Sequence, residues 1–319
     1  MIARRRLLAT AAAVGFAGTA RAADYPSGPI SFLVPDSGGG SFDAYVRKFG
    51  ELTPPFLPHH VDVEPVTVPG AGGQAAAFQL LHDAPDGQTI GMLNIPGLFT
   101  NRYNPKHAGI DISGLTWVAN LGRESYGVAV SATSDIRNVA GLAALGAKRP
   151  VAFSSTGFGS TDYFATRVFA SALGLNFKQV IGYTGSSPTM VAVARGDVDA
   201  VVHSLATLRA MQGSGLIRIV FAFQPDDAPP GLDNAHSVGK PELAEIYQWR
   251  PVAAPPDLPA PILATLSNAL VAAAKTPAAA AWAQSAGTTL HPLGYQDVQT
   301  MIAAQKALVE RWKYVLKSA

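Results

Sequence analysis

Two stretches of the chain hold small polar residues in an order that can grip an anion. Val151–Phe153 reads as a short buried strand, and Ser154–Thr161 is a run of Ser, Thr and Gly with one Phe. From Asp162 the apolar residues Phe164, Val168, Phe169 and Ala172 recur at helical spacing. The same grammar occurs earlier: a strand over Ile30–Val34, the loop Pro35–Ser41 (PDSGGGS), and a helix over Ala44–Leu52. A strand that opens through small residues into a helix leaves unpaired N–H groups at the positive end of the helix dipole. Those groups, with the hydroxyls of Ser155, Ser160 and Thr161, can hold a carboxylate. Taken singly, either loop reads first as an ordinary βα turn, where Gly and an N-capping Ser are common. The pair points to one small anion held from two sides. The candidate contacts are Ser37, Gly39, Gly40 and Ser41 in the first loop, and Ser155, Thr156, Gly159, Ser160 and Thr161 in the second. Asp43 reads first as a helix-start residue favourable to the dipole, with a ligand contact as its second reading.

Other candidates sit at strand ends. Tyr183-Thr184-Gly185-Ser186-Ser187 follows an apolar run, so its hydroxyls and N–H groups would face the same cleft. His203 closes the run Ala200-Val201-Val202 at the carboxyl end of a strand, where ligands bind in open α/β sheets. A partly buried structural histidine is the alternative. Loop amides cannot tell one carboxylate from another, so Tyr183, Thr184 and His203 are the expected source of specificity.

Pro69–Ala75 (PGAGGQA) matches G-x-G-x-x-A, but the following strand ends in Asn94 where a dinucleotide fold needs an acid, so a tight turn with positive φ is expected. There is no G-x-x-x-x-G-K-[ST] for an ATPase and no G-x-S-x-G that would make Ser160 a hydrolase nucleophile. None of the seven histidines has a metal-ligand spacing. No metal, cofactor or catalysis is expected.

The elements that must position these residues alternate. Strands over Ile30–Val34, Val61–Val66 and Thr89–Leu93 flank helices over Ala44–Leu52 and Gln74–His82, an order that implies a parallel sheet covered by helices. Thr116–Leu121 and Tyr126–Val130 read as two strands separated by Gly122–Ser125. A second set follows, with strands Val151–Phe153, Val180–Tyr183, Ala200–His203 and Ile217–Phe223, and helices Asp162–Leu173, Ser187–Ala194 and Leu205–Met211. After the short run Gln248–Ala254 come helices over Ala260–Ala274, Pro277–Ser285 and Tyr295–Leu316, expected to return to the first lobe. The expectation is an α/β fold of two lobes, residues 23–123 plus 249–319 and residues 124–248, with crossings near 121–126 and 247–252.

Residues 1–22 read as a cleavable export signal: Arg4, Arg5 and Arg6, an apolar run over Leu7–Gly18, and the A-x-A site Ala20-Arg21-Ala22. Both the general secretory and the twin-arginine routes fit. No Cys follows, so no lipid anchor is expected, and without any cysteine the chain does not rely on disulfides. Four arginines belong to that leader, and without them 20 basic side chains face 22 acidic ones. That balance leaves no electrostatic footprint for nucleic acid.

Several short motifs fall in one order along nearly the whole mature chain. They are Tyr25-Pro26-Ser27-x-Pro29-Ile30, Val34-Pro35 with Gly39-Gly40-Ser41-x-Asp43, Pro69-Gly70-Ala71-Gly72-Gly73 and Ala84-Pro85-Asp86-Gly87-x-Thr89. Gly157-x-Gly159-Ser160-Thr161, Tyr183-x-Gly185-Ser186, Gly196-x-Val198-Asp199, Val252-Ala253-Ala254-Pro255 and Arg311-Trp312 continue the series. In this the chain resembles the solute-binding receptors of tripartite tricarboxylate transporters, the Bug-type family. The resemblance implies a two-lobed periplasmic binding protein of the type II, Venus-flytrap kind, each lobe a mainly parallel sheet flanked by helices. It implies a monomer that closes on an organic acid and delivers it to membrane permease subunits. It also implies that the two loops hold the carboxylate through backbone N–H groups and bridging waters. The chain departs from the family pattern at Asp36-Ser37-Gly38, Thr184, His203-Ser204 and Asp162-Tyr163, so the anchor looks retained and the distal pocket remodelled. Presentation of the ligand to a sensor, and less favourably hydrolysis at Ser160, are the competing readings.

Overall fold

The computed structural model describes residues 25–104 and 109–317, so the expected leader lies outside the described residues. The first lobe is built on β1 (Ile30–Val34), α1 (Ser41–Leu52), β2 (Val63–Thr67), α2 (Gln74–His82) and β3 (Thr89–Met92). β1 pairs in parallel with both β2 and β3, as the alternation predicts. Every residue of β1 except Ser31 is buried, because helices cover both faces of the sheet. α1 turns Phe42, Tyr45, Val46 and Phe49 onto this core.

β4 (Thr116–Ser131) then runs for 16 residues from one lobe into the other. Two strands broken by a turn were expected here; instead Gly122–Ser125 stays extended. Arg123, Glu124 and Ser125 pair with Trp249, Gln248 and Tyr247 of a later strand, and Gly122 pairs with Leu290. Pairing overrides the turn propensity of Gly-Arg-Glu-Ser.

The second lobe holds α3 (Val139–Gly146), β5 (Val151–Ser154), α4 (Thr161–Ala172), β6 (Phe177–Val180) and α5 (Ser186–Arg195). It continues with β7 (Ala200–Ser204), α6 (Leu205–Gly213), β8 (Ile217–Ala222) and the two-residue β9 (Asp233–Asn234). β5 pairs in parallel with β6 and β7, whereas β4 pairs antiparallel with β7 and β8. The strand expected over Val180–Tyr183 lies earlier in the chain. β5 offers four partners, the last of them Val180, and Gly182 at φ +104° ends the extended run. α3 escapes sequence reading because it is almost wholly apolar and carries no helical stripe; Asn138 caps it by accepting the Gly141 N–H at 3.0 Å. α4 is buried along Thr161–Ala170, and its Phe169 packs on the rings of Phe153, Phe221 and Phe223.

β10 (Tyr247–Ala254) brings the chain back antiparallel to β4 and β3. It is followed by α7 (Ala260–Ala274), α8 (Pro277–Ala286), β11 (Leu290–Leu293), α9 (Tyr295–Arg311) and α10 (Lys313–Lys317). The sheet order β2-β1-β3-β10-β4-β7-β5-β6 is therefore continuous through β4. α7 and α8 pack on α1, while α10 lies against α4, and the helix expected to reach Leu316 without interruption breaks at Trp312. Among the described residues no helix is long and apolar enough to cross a membrane.

Candidate functional site

The carboxyl ends of β1, β3 and β7 and the loops that follow them open on one cavity of about 460 Å3 between the lobes. That is the size range of small-ligand sites. From the first lobe it is lined by Pro35, Asp36, Ser41, Phe42, Pro69–Gly72 and Asn94. From the second it is lined by Thr156, Asp162, Gly182–Ser186 and His203, with Tyr126 and Gln248 on the crossing strands.

Six of the residues singled out in the sequence line this cavity: Ser41, Thr156, Tyr183, Thr184, Gly185 and His203. Ser37, Gly40 and Gly185 line a smaller neighbouring cleft, where the Ser37 hydroxyl donates to the Thr184 carbonyl at 2.8 Å and ties the lobes together. The other residues do not line the cavity. Gly39 N–H donates to Asp43 at 3.0 Å, and Asp43 also pairs with Arg47 at 2.8 Å. Burial opposes the charge of Asp43, but these partners hold its carboxyl below the usual range. The Ser155 hydroxyl accepts the Gly157 N–H at 3.2 Å.

Gly159 N–H donates to the Thr100 hydroxyl, and Thr161 N–H to the Asn94 side chain, both at 3.2 Å. Ser160 donates to the Gly157 carbonyl at 2.6 Å and accepts the Tyr163 N–H at 3.3 Å, which makes it the N-cap of α4 and leaves no hydrogen bond to His203. The close fit here requires glycine. Gly159 sits at φ +91°, and a side-chain carbon on Gly97 would lie 2.3 Å from the Ser160 carbonyl carbon. The second loop is thus gripped by the segment after β3. The Gly70 turn has the positive φ expected of it and forms part of the wall.

The helix ends that do open on the cavity are those of α1 and α5. Among the described residues no acceptor meets the N–H groups of Ser41, Phe42, Gly185 and Ser186. Two helix N-termini therefore present donors to one cavity, with α5 taking the place expected of α4. Arg250 lies directly beneath, fully buried, donating to the Ser41 hydroxyl at 2.7 Å and paired with Glu124 at 2.7 Å. Its Nε and Nη1 have no acceptor, and its guanidinium carbon sits 4.0 Å from the Phe42 ring centroid.

His203 stacks on Tyr126 with ring centroids 6.1 Å apart. Burial pushes its imidazole below the usual value, against the raising effect of Asp162 and Glu124. Its Nδ1 accepts the Ser204 N–H at 2.8 Å, so the neutral ring carries its proton on Nε2. Sequence reading missed Asn94, Tyr126, Asp162 and Gln248 as cavity residues. Asn94 follows the carboxyl end of β3, the same signal that singled out His203. Among the described residues no cluster of acidic, His or Cys side chains could hold a metal ion.

The pattern of the tripartite tricarboxylate transporter family receptor matches residues 61–319. A UPF0065 protein of Cupriavidus necator is 30% identical over 210 residues, a span of 64% of this chain and 63% of that one. The periplasmic binding protein BugD superposes with a TM-score of 0.81 at 22% identity, over 91% of this chain and 98% of its own. A Rhodopseudomonas palustris protein solved with adipate gives a TM-score of 0.81 at 24% identity, over 92% and 98%.

Proposed function

The chain belongs to the tripartite tricarboxylate transporter receptor family, and we propose that it is an exported receptor that captures a small organic carboxylate between its lobes. It would then deliver the acid to the membrane permease of a tripartite transporter. The observation that carries this reading is the convergence of two open helix N-termini, Ser41–Phe42 of α1 and Gly185–Ser186 of α5, on one cavity. Backbone N–H groups at helix ends bind carboxylates without a charged side chain. A neighbour of the same fold holds adipate, an acid of fitting class. In this reading the loop amides anchor the carboxylate, while Tyr183, Thr184 and His203 read the remainder of the solute. The lobes hinge where β4 changes partners, between Ser125 and Tyr126, and where β10 begins at Tyr247.

Thermal-shift screening against dicarboxylates, hydroxy acids, aromatic acids and amino acids tests the reading. A true ligand raises the melting temperature with its concentration. If no organic acid does so, the reading falls.

A further inference from the structure

One wall of the cavity carries three polar atoms that the protein leaves without a partner. Asn94, Tyr126 and His203 all line it and are 9%, 1% and 5% exposed. Asn94 Oδ1 is taken by Thr161 and by the Gln248 amide, so Nδ2 remains as a donor. His203 Nδ1 is taken by the Ser204 N–H, so Nε2–H remains. The Tyr126 hydroxyl is the third. Among the described residues no group pairs with Asn94 Nδ2, Tyr126 Oη or His203 Nε2, and none of the three is sealed as Gln248 Oε1 is. Buried donors without an acceptor are costly, and here the missing acceptor can come from the solute.

The three residues are neighbours. The Tyr126 and His203 rings stack with centroids 6.1 Å apart and planes within 11°. Gln248, which donates to Asn94 at 3.3 Å, lies opposite Glu124 in the ladder of β10 and β4. Tyr126 is two residues beyond Glu124 and so projects from the same face of β4. Charge then decides which acceptor this wall takes. After burial, the Asp162 carboxylate is the strongest influence on both rings. Arg250 and Glu124 act on them with opposite signs and are paired to each other at 2.7 Å. Among the described residues no Lys or Arg lines the cavity. A second carboxylate here would meet like charge, and His203 cannot answer it by protonation while Nδ1 holds the Ser204 N–H.

We propose that the captured acid carries, beyond its carboxylate, an uncharged carbonyl oxygen received among Tyr126 Oη, His203 Nε2 and Asn94 Nδ2, while the carboxylate lies at the N-termini of α1 and α5. This rests on the receptor reading above and specifies its solute class. A carbonyl oxygen accepts two hydrogen bonds and brings no proton of its own, which suits Nε2–H and Nδ2 as groups that can only donate. The Tyr126 hydroxyl turns its proton to whichever lone pair they leave.

The test is calorimetric titration of the protein with three matched series: 4-oxopentanoate, 4-methylpentanoate and succinate; 5-oxohexanoate, 5-methylhexanoate and glutarate; 6-oxoheptanoate, 6-methylheptanoate and adipate. Within a series only the group at the far end differs: a ketone, its apolar isostere or a second carboxylate. The oxo acid of the best series should bind tightest, by roughly 5- to 150-fold over its methyl counterpart, the range for a buried donor left unpaired. Tyr126→Phe keeps a ring against His203 and should shrink that ratio, as should His203→Phe. If a methyl acid or a dicarboxylate binds as tightly as its oxo counterpart, or Tyr126→Phe leaves the ratio unchanged, the carbonyl site is wrong and the receptor reading stands. If none of the nine acids binds, the carbonyl site falls, and the receptor reading falls with it only when the wider thermal-shift screen is also blank.

Discussion

The side-chain oxygen of Asn94 accepts both the N–H of Thr161, at 3.2 Å, and its hydroxyl, at 2.7 Å. A helix end that looks open in the sequence is thus closed by an asparagine 67 residues upstream. The bond joins the segment after β3 to the start of α4, and Gly97 N–H adds a third contact to the Thr161 hydroxyl at 3.1 Å. The consequence is a division of labour: the N-terminus of α4 is taken up by contacts within the protein, and α1 and α5 keep N–H groups without an acceptor.

Ser160→Ala should therefore act on stability rather than on affinity. The variant loses an N-cap, which costs about 0.5–2 kcal/mol, and its methyl group lies behind the cavity wall. Urea denaturation and ligand titration on the same preparation separate the two effects. A large loss of affinity with an unchanged urea midpoint would return Ser160 to the binding site.

The protein's surroundings oppose the ionisation of Asp36. Burial raises its pKa, and Asp43 adds to the effect against the lowering influence of Gly38 N–H and Arg250. The unfolded chain gives up this proton more readily than the folded one, so stability falls as pH rises through the interval between the two values. The penalty is present in full above the raised value. Asp36→Asn should raise the melting temperature of the ligand-free protein near neutral pH. The gain should vanish below the ordinary aspartate value of about 3.9. A gain that persists unchanged in acid would contradict this assignment.

The Arg250–Glu124 pair, 0% and 2% exposed, joins the two strands that cross between the lobes and underpins the first residue of α1. Removing one partner strands a buried charge, a loss of about 3–5 kcal/mol. Arg250→Met and Glu124→Gln should each lower the urea midpoint strongly, and the double variant should lose clearly less than the sum. Additive losses would show that the two charges act independently.

The alternation of strands and helices was legible because apolar period and loop composition are local properties. The two candidate loops were legible to the extent that small residues before a helix mark an open N-terminus. What the sequence could not show is which N-termini the rest of the protein fills. Asn94 and Thr100 silence the second loop from a distant segment, and no local pattern marks them as partners of Thr161 and Gly159. The continuity of β4 was hidden for a similar reason. Gly122–Ser125 has turn composition, yet it extends because Tyr247–Trp249 pairs with it and Arg250 neutralises Glu124. Asp36 and Asp162 stood out as departures from the family pattern, but that they share one wall is a property of the fold.

The most direct test of capture at the α1 and α5 N-termini is titration calorimetry of the protein and its Ser186→Pro variant with the tightest-binding acid from the screen. Ser186 is the first residue of α5, a position where proline fits a helix while deleting one N–H from the cavity. The account predicts one site per chain in the unaltered protein, and an affinity roughly 10- to 150-fold weaker in the variant at an unchanged melting temperature of the ligand-free form. Equal affinity in the two proteins would contradict it.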